Sequence, residues 1–206
     1  MTRSTGRDWH RLAAAADYAF AIHSDQVRKG AETPYIGHLL GVAGLVLEYG
    51  GDEDQAIAGL LHDAIEDVGA AQEALIAARF GHRVAAIVRG CTDADTTPKP
   101  PWRARKEAYV AHLAQAGADV LLVSAADKLY NARAITADLR AIGPEVFTRF
   151  TAGAAGTLWY YRTLADTFAR VLGGRLAAEL AATVAEMARL AAAHGTQVVQ
   201  PAPGIS

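Results

Sequence analysis

Apolar residues recur every three or four positions through almost the whole chain, and this spacing constrains the fold more than any other sequence feature. It is clearest in residues 175–194, where one helical face carries Leu176, Leu180, Val184, Met187 and Leu190. The sequence has no stretch of apolar and polar alternation long enough to predict a strand. The pattern therefore predicts an all-α fold, a single helical bundle.

Capping and helix-breaking residues refine the boundaries of these helices. Asp8 is the predicted N-cap of the first helix, and Asp52 that of the helix that carries residues 59–69. Residues 92–101 contain three prolines in four positions and are predicted to form a loop. The run 118–129 is compatible with a strand or a buried helix, and its flanks favour a helix. Apart from the helix through 59–69, the predicted helices cover residues 8–29, 35–51, 71–81, 82–91, 102–116, 119–141, 145–171 and 175–194.

Composition indicates a cytoplasmic protein with one domain over residues 8–194 and flexible tails at 1–7 and 195–206. The net charge is −2, which argues against a general electrostatic grip on nucleic acid or on an anionic membrane. The single cysteine, Cys91, excludes an internal disulfide and suits a reducing compartment. The start of the chain lacks the apolar segment of a signal peptide, and no run approaches the ~20 apolar residues of a membrane span.

Four acid or imidazole side chains interrupt the otherwise apolar stretch 59–69: His62, Asp63, Glu66 and Asp67. On a continuous helix these side chains would crowd a band about one turn high. The three carboxylates would repel one another unless a cation lay among them. A solvated acidic helix end with a hydrogen-bonded histidine is the alternative, and the interleaved apolar residues disfavour it.

Two further polar residues lie in apolar helical surroundings. Taken alone, His38 is more typical of a core or capping residue than of a ligand, and Asp127 could simply pair with its neighbour Lys128. Taken with His62 and Asp63, they supply two imidazoles and two carboxylates from three predicted helices, the way bundles build metal sites. Such a ligand set suits Mn²⁺, Fe²⁺, Mg²⁺ or Zn²⁺ and leaves positions for water or phosphate, which points to hydrolysis.

The order His, then His-Asp, then Asp resembles that of the HD-domain metal-dependent phosphohydrolases. The closer resemblance is to the hydrolase domain of the RelA/SpoT homologues, and the length resembles that of the stand-alone small alarmone hydrolases. It extends from about residue 10 to about residue 172. The stretches that carry it are AFAIHSDQVRKGAETPYIGHLLGVAGLV, AIAGLLHDAIEDVG, RFGHRVAAIVRGCT, AADKLYNARAI and GTLWYYRTLADTF.

This resemblance implies an all-α HD bundle that hydrolyses guanosine 3′,5′-bis(diphosphate), ppGpp, at the 3′ position to GDP and pyrophosphate. It implies Mn²⁺ as the usual metal, although another divalent ion is possible, and a small nucleotide as the partner. The implied metal ligands are His38, His62, Asp63 and Asp127, and the implied catalytic acids are Glu66 and Asp67. The implied substrate contacts are Arg28, Lys29, Asn131 and Tyr161.

Several positions depart from the family pattern and leave the nucleotide open. The loop from Lys29 to Pro34 is one residue longer than usual, and Asp93 replaces a lysine that often faces substrate phosphates. Cations around the proline loop are candidates to replace that charge: Lys99, Arg103, Arg105 and Lys106. The alternatives are an HD phosphohydrolase for another nucleotide (a nucleotidase or an NADPH phosphatase) and a catalytically silent nucleotide-binding module.

Overall fold

The computed structural model describes residues 9–94, 96 and 98–195, and over those residues the predicted all-α fold is confirmed. It contains no β-strand in these ranges, only one isolated bridge between Val27 and Pro34. None of the helices in the described part is long and apolar enough to cross a membrane. The helices are α1 (His10–Ile22), α2 (Ile36–Glu48), α3 (Glu53–Leu61), α4 (Ala64–Asp67), α5 (Gln72–Phe80), α6 (His82–Cys91), α7 (Trp102–Leu113), α8 (Ala118–Ile142), α9 (Gly153–Val171) and α10 (Gly174–Ala193), with a 3-10 helix at Gly143–Arg149.

Contacts within the chain define two compact units. The first comprises the described residues up to Lys99 together with Ala116–Asp127, and the second comprises Pro100–Gln115 and the described residues from Lys128 onward. The predicted tails, apart from Gly195, lie outside the described residues, and so does Asp8, the predicted N-cap. The prediction of one domain over residues 8–194 stays a prediction.

Helix α3 is the centre of the first unit. Its residues Ala56 to Leu61 are all buried, and it packs against α1, α2 and α6. A Cβ atom on Gly59 would lie 3.1 Å from Cα of Ala43, so the glycine allows α2 and α3 to cross at close range. Asp52 caps α3 as predicted, because its side chain accepts from the backbone of Gln55 and the Gln55 side chain accepts in return.

Two of the predicted helix spans in the first unit are wrong. α1 ends at Ile22 rather than near residue 29, because residues 26–35 form a loop in which Arg28 N donates to Thr33 O over 2.8 Å. Gly30 takes a positive φ of 72° there, which favours a turn over a helix. The helix predicted through residues 59–69 is also interrupted: α3 ends at Leu61, and α4 begins at Ala64.

The second unit is built around the pair α9 and α10. The stripe predicted on α10 is buried except for Leu190, which is half-buried. α7 packs on α9, with the ring of Trp102 edge-on to that of Trp159 at 6.0 Å. The α-helix predicted from residue 145 begins only at Gly153, because the chain after Gly143 first forms the 3-10 helix.

Candidate metal centre

The two histidines of the candidate centre come from neighbouring ends of α2 and α3. His38 lies in the first turn of α2, and His62 is the residue that follows the last turn of α3. The Nδ1 of His62 lies 2.9 Å from the carbonyl oxygen of Gly59. Because a carbonyl oxygen only accepts, Nδ1 carries a proton, and Nε2 is the nitrogen that faces the other candidate donors.

Four donor atoms converge at this point, all within the first unit. Nε2 of His38 lies 3.3 Å from Nε2 of His62 and 3.3 Å from Oδ1 of Asp127. Oδ2 of Asp63 lies 3.0 Å from Nε2 of His62 and 3.7 Å from Nε2 of His38. Metal–ligand bonds of about 2.0–2.2 Å place neighbouring donor atoms about 3.0–3.5 Å apart. Most of these separations fit donors around one ion, and His38, His62 and Asp127 form a group that could hold a metal.

Burial disfavours the charged forms of the side chains in this cluster. His38, His62 and Asp127 are 2%, 3% and 5% exposed. Burial by itself lowers the pKa of His62, but the Asp63 and Asp127 carboxylates raise it well above its usual range. Burial likewise favours the neutral form of Asp63, yet the two imidazoles hold its pKa well below its usual range. A divalent ion binds such donors in competition with the imidazole proton, so metal affinity should fall as the pH is lowered.

The hydroxyl of Tyr35 holds the Asp63 carboxylate in this arrangement. It donates to Oδ2, the same oxygen that faces both imidazoles. Burial, and then the negative charge of Asp63, raise the pKa of the Tyr35 hydroxyl. The raised pKa favours the protonated hydroxyl, which is the form that donates to Asp63.

The acid pair predicted for catalysis, Glu66 and Asp67, lies on α4, shortly after Asp63 in the chain. Nζ of Lys99 lies 2.7 Å from Oε1 of Glu66, and the side-chain amide of Gln26 donates to Oδ2 of Asp67 over 2.7 Å. The pKa of Glu66 is raised by burial first and then by the charge of Asp93. That of Asp67 is raised by burial first and then by the charge of Asp63.

The predicted nucleotide contacts lie in both units. Arg28 is half-buried and Lys29 is exposed, both in the loop that follows α1. Asn131 is half-buried in α8, and Tyr161 is buried in α9. Their roles stay predictions.

Two loop residues that contact acidic side chains, Gln26 and Tyr35, were not predicted from the sequence. Both lie in a stretch that carries the family resemblance, but no local pattern links them to the carboxylates they contact, which are 41 and 28 positions away in the sequence. Lys99 was predicted only as a replacement phosphate contact, whereas here it pairs with Glu66.

The sequence of this chain is similar to a known family and to several known proteins. The family model described as HD domain matches residues 15–158, a segment that contains all the predicted ligands and both acids. A guanosine-3′,5′-bis(diphosphate) 3′-pyrophosphohydrolase MESH1 of Xenopus tropicalis is 42% identical over 137 residues, which cover 65% of this chain and 72% of that protein. The Homo sapiens protein of the same name is 37% identical over 143 residues, covering 68% and 75%.

Two solved structures are similar as well. One is a metazoan orthologue of SpoT, described as hydrolysing ppGpp, with a TM-score of 0.67 and 24% identity over 92% of this chain and 97% of that one. At this identity the match supports the fold alone. The other is lmo0812 of Listeria monocytogenes, with a TM-score of 0.61 and 30% identity over 75% of this chain and 96% of that one.

Proposed function

Because this chain belongs to the HD domain family, we propose that it hydrolyses the 3′-pyrophosphate of ppGpp to GDP and pyrophosphate. The observation that carries the proposal is the convergence of two imidazoles and two carboxylates at 3.0–3.7 Å beside a pair of acids. The names of the MESH1 relatives support the choice of substrate.

In this proposal His38, His62, Asp63 and Asp127 hold a divalent ion, with Mn²⁺ as the first candidate. Two nitrogen and two hard oxygen donors are compatible with Mn²⁺ and with Fe²⁺, Mg²⁺ or Zn²⁺. When bound, such an ion polarises a phosphoryl oxygen and acidifies a water molecule. Tyr35 keeps the Asp63 carboxylate turned toward the two imidazoles.

Glu66 and Asp67 align the attacking water and accept its proton. A general base works best when its pKa lies near the operating pH, and burial raises the pKa of both carboxyl groups in that direction. Lys99 opposes this effect at Glu66, because its ammonium stabilises the carboxylate form. Both carboxyl groups therefore have pKa values raised above those of ordinary surface carboxyl groups, which makes them better proton acceptors.

Substrate contacts are assigned from chemistry and from the family resemblance. The planar guanidinium of Arg28 suits stacking on a base, and the ammonium of Lys29 suits a phosphate. Asn131 and Tyr161 are assigned to the nucleotide. Since the proposed substrate is a small nucleotide and a single cysteine cannot form a disulfide within the chain, we propose a cytoplasmic enzyme that needs neither nucleic acid nor membrane as a partner.

The test is to incubate the metal-stripped protein with ppGpp, with and without Mn²⁺, and to resolve the products by ion-exchange chromatography. The expected result is GDP and pyrophosphate only when Mn²⁺ is present, and neither product from the variant Asp63→Asn. No turnover with metal shown to be bound would refute ppGpp as the substrate and direct the assay to NADPH and other nucleotides. Failure to bind any divalent ion would refute the metal site and favour a silent binding module.

A further inference from the structure

A short relay of hydrogen bonds connects α1 to the acid pair. The ring nitrogen Nδ1 of His23 lies 2.5 Å from Oε1 of Gln26. The amide nitrogen of Gln26 in turn donates to Oδ2 of Asp67 over 2.7 Å. All three residues lie in the first unit, and the proposed catalytic roles do not involve either His23 or Gln26.

The chemistry of the three groups determines which atom donates at each step. The Asp67 carboxylate only accepts, so the amide nitrogen of Gln26 must face it and the amide oxygen must face His23. Nδ1 of His23 then has to carry the proton. Nε2 of this ring is buried with no hydrogen-bond partner among the described residues, so none of them competes for that proton.

Hydrogen bonds fix the backbone of Gln26 as well as its side chain. Gln26 N donates to His23 O over 3.1 Å, and Tyr35 N donates to Gln26 O over 2.9 Å. His23 is 3% exposed, and its own N–H donates to Ala19 O in the last turn of α1. An amide anchored at both ends loses little conformational entropy when it orients its partner, which is what a precise hydrogen bond requires.

We propose that Gln26, oriented by His23, is a positioning residue for the hydrolysis: it holds Asp67 by Oδ2 so that the other carboxylate oxygen is presented to the attacking water. This inference rests on the proposed function, in which Asp67 aligns that water. In this proposal neither Gln26 nor His23 contacts the reacting atoms, and their effect passes through the direction of the Asp67 carboxylate. A small misalignment at that carboxylate lowers the rate more than it weakens substrate binding.

The kinetic test compares two identical substitutions of glutamine. Gln26→Leu should lower kcat toward ppGpp by about tenfold or more and leave KM within about twofold. The control is Gln72→Leu, which removes a buried amide of the same unit whose oxygen accepts from Tyr18 over 2.6 Å. That control should lower the melting temperature and leave kcat unchanged. Equal losses of kcat in the two variants would refute the positioning role.

A second pair of variants tests the role of His23. His23→Leu removes the donor and should reproduce the loss of kcat, whereas His23→Asn places an amide N–H near the position of Nδ1 and should restore most of it. If the asparagine variant folds with the wild-type melting temperature and is as slow as the leucine variant, His23 does not orient Gln26, and the relay is refuted.

A substrate-independent measurement separates this inference from the proposed function. The side-chain amide of Gln26 is followed by ¹H–¹⁵N NMR in the Mg²⁺-loaded full chain. Its resonances should shift in His23→Leu and in Asp67→Asn and stay unchanged in Gln72→Leu. If they shift while ppGpp is not cleaved, the relay stands and the substrate assignment fails. If they do not shift while ppGpp is cleaved, the relay is refuted and the proposed function stands.

Discussion

Metal binding should raise the thermal stability of this protein, and the rise should depend on one buried carboxylate. Asp127 is 5% exposed, and its Oδ1 lies 3.3 Å and 3.6 Å from the imidazole nitrogens of His38 and His62. An ion that binds only the folded chain stabilises it by RT ln(1 + [L]/Kd). Since His38, His62 and Asp127 lie far apart in the sequence, the unfolded chain does not reproduce the proposed site.

The expected size follows from this relation. At a free Mn²⁺ concentration 100 times Kd, the gain in the free energy of unfolding is about 2.7 kcal/mol. For a chain of 206 residues, each kcal/mol shifts the melting temperature by roughly 2–4 °C, so the rise should be about 5–11 °C. Asp127→Asn removes the charge of a proposed ligand at nearly constant volume. An affinity loss of about 100-fold at the same concentration would reduce the gain to about 0.4 kcal/mol, a rise under about 2 °C.

Differential scanning calorimetry with EDTA and with Mn²⁺ measures these shifts. The matched control is Asp138→Asn, the same substitution on the same helix at a carboxylate that pairs with Arg149 over 2.7 Å. That variant should keep the full rise. An equal rise in Asp127→Asn and in the wild type would show that the stabilising ion binds elsewhere, and the assignment of the centre would be refuted.

Four other substitutions test the surroundings of the centre. Burial and the charge of Asp93 raise the pKa of Glu66, and Lys99 lowers it. An activity that needs ionised Glu66 is therefore lost as the pH falls through that pKa. Lys99→Met should move this acid limb of the pH–rate profile to higher pH, and Asp93→Asn should move it to lower pH. A limb that does not move in either variant would exclude Glu66 as the titrating base. Gly59→Ala would place a methyl group 3.1 Å from the backbone of α2. This overpacking should lower the free energy of unfolding by about 1–3 kcal/mol, which outweighs the gain in helix propensity. Chemical denaturation should show the lower stability, and Mn²⁺ titration should show weaker binding. Asp52→Ala removes the N-cap of α3 and should cost about 1 kcal/mol, seen as a melting temperature lower by roughly 2–4 °C with kcat unchanged.

Local physics explains which parts of the fold were predictable from sequence. The α10 stripe, the Asp52 cap and the proline loop before α7 are each determined by neighbouring residues, and all three predictions agree with the described structure. The errors lie where a local turn or a change of helix type overrides the helical periodicity. The first helix stops at Ile22 because the chain that follows pairs with itself across Val27 and Pro34.

Residue types and their order in the sequence were sufficient to propose the metal ligands, because buried imidazoles and carboxylates are rare without a partner. Only the tertiary structure shows that their donor atoms meet at 3.0–3.7 Å, since His38, His62 and Asp127 are brought together by the crossing of separate helices. The tertiary structure also determines which side chains contact Glu66 and Asp67. Gln26 reaches Asp67 across 41 positions of sequence, and no local pattern encodes a hydrogen bond between residues that far apart.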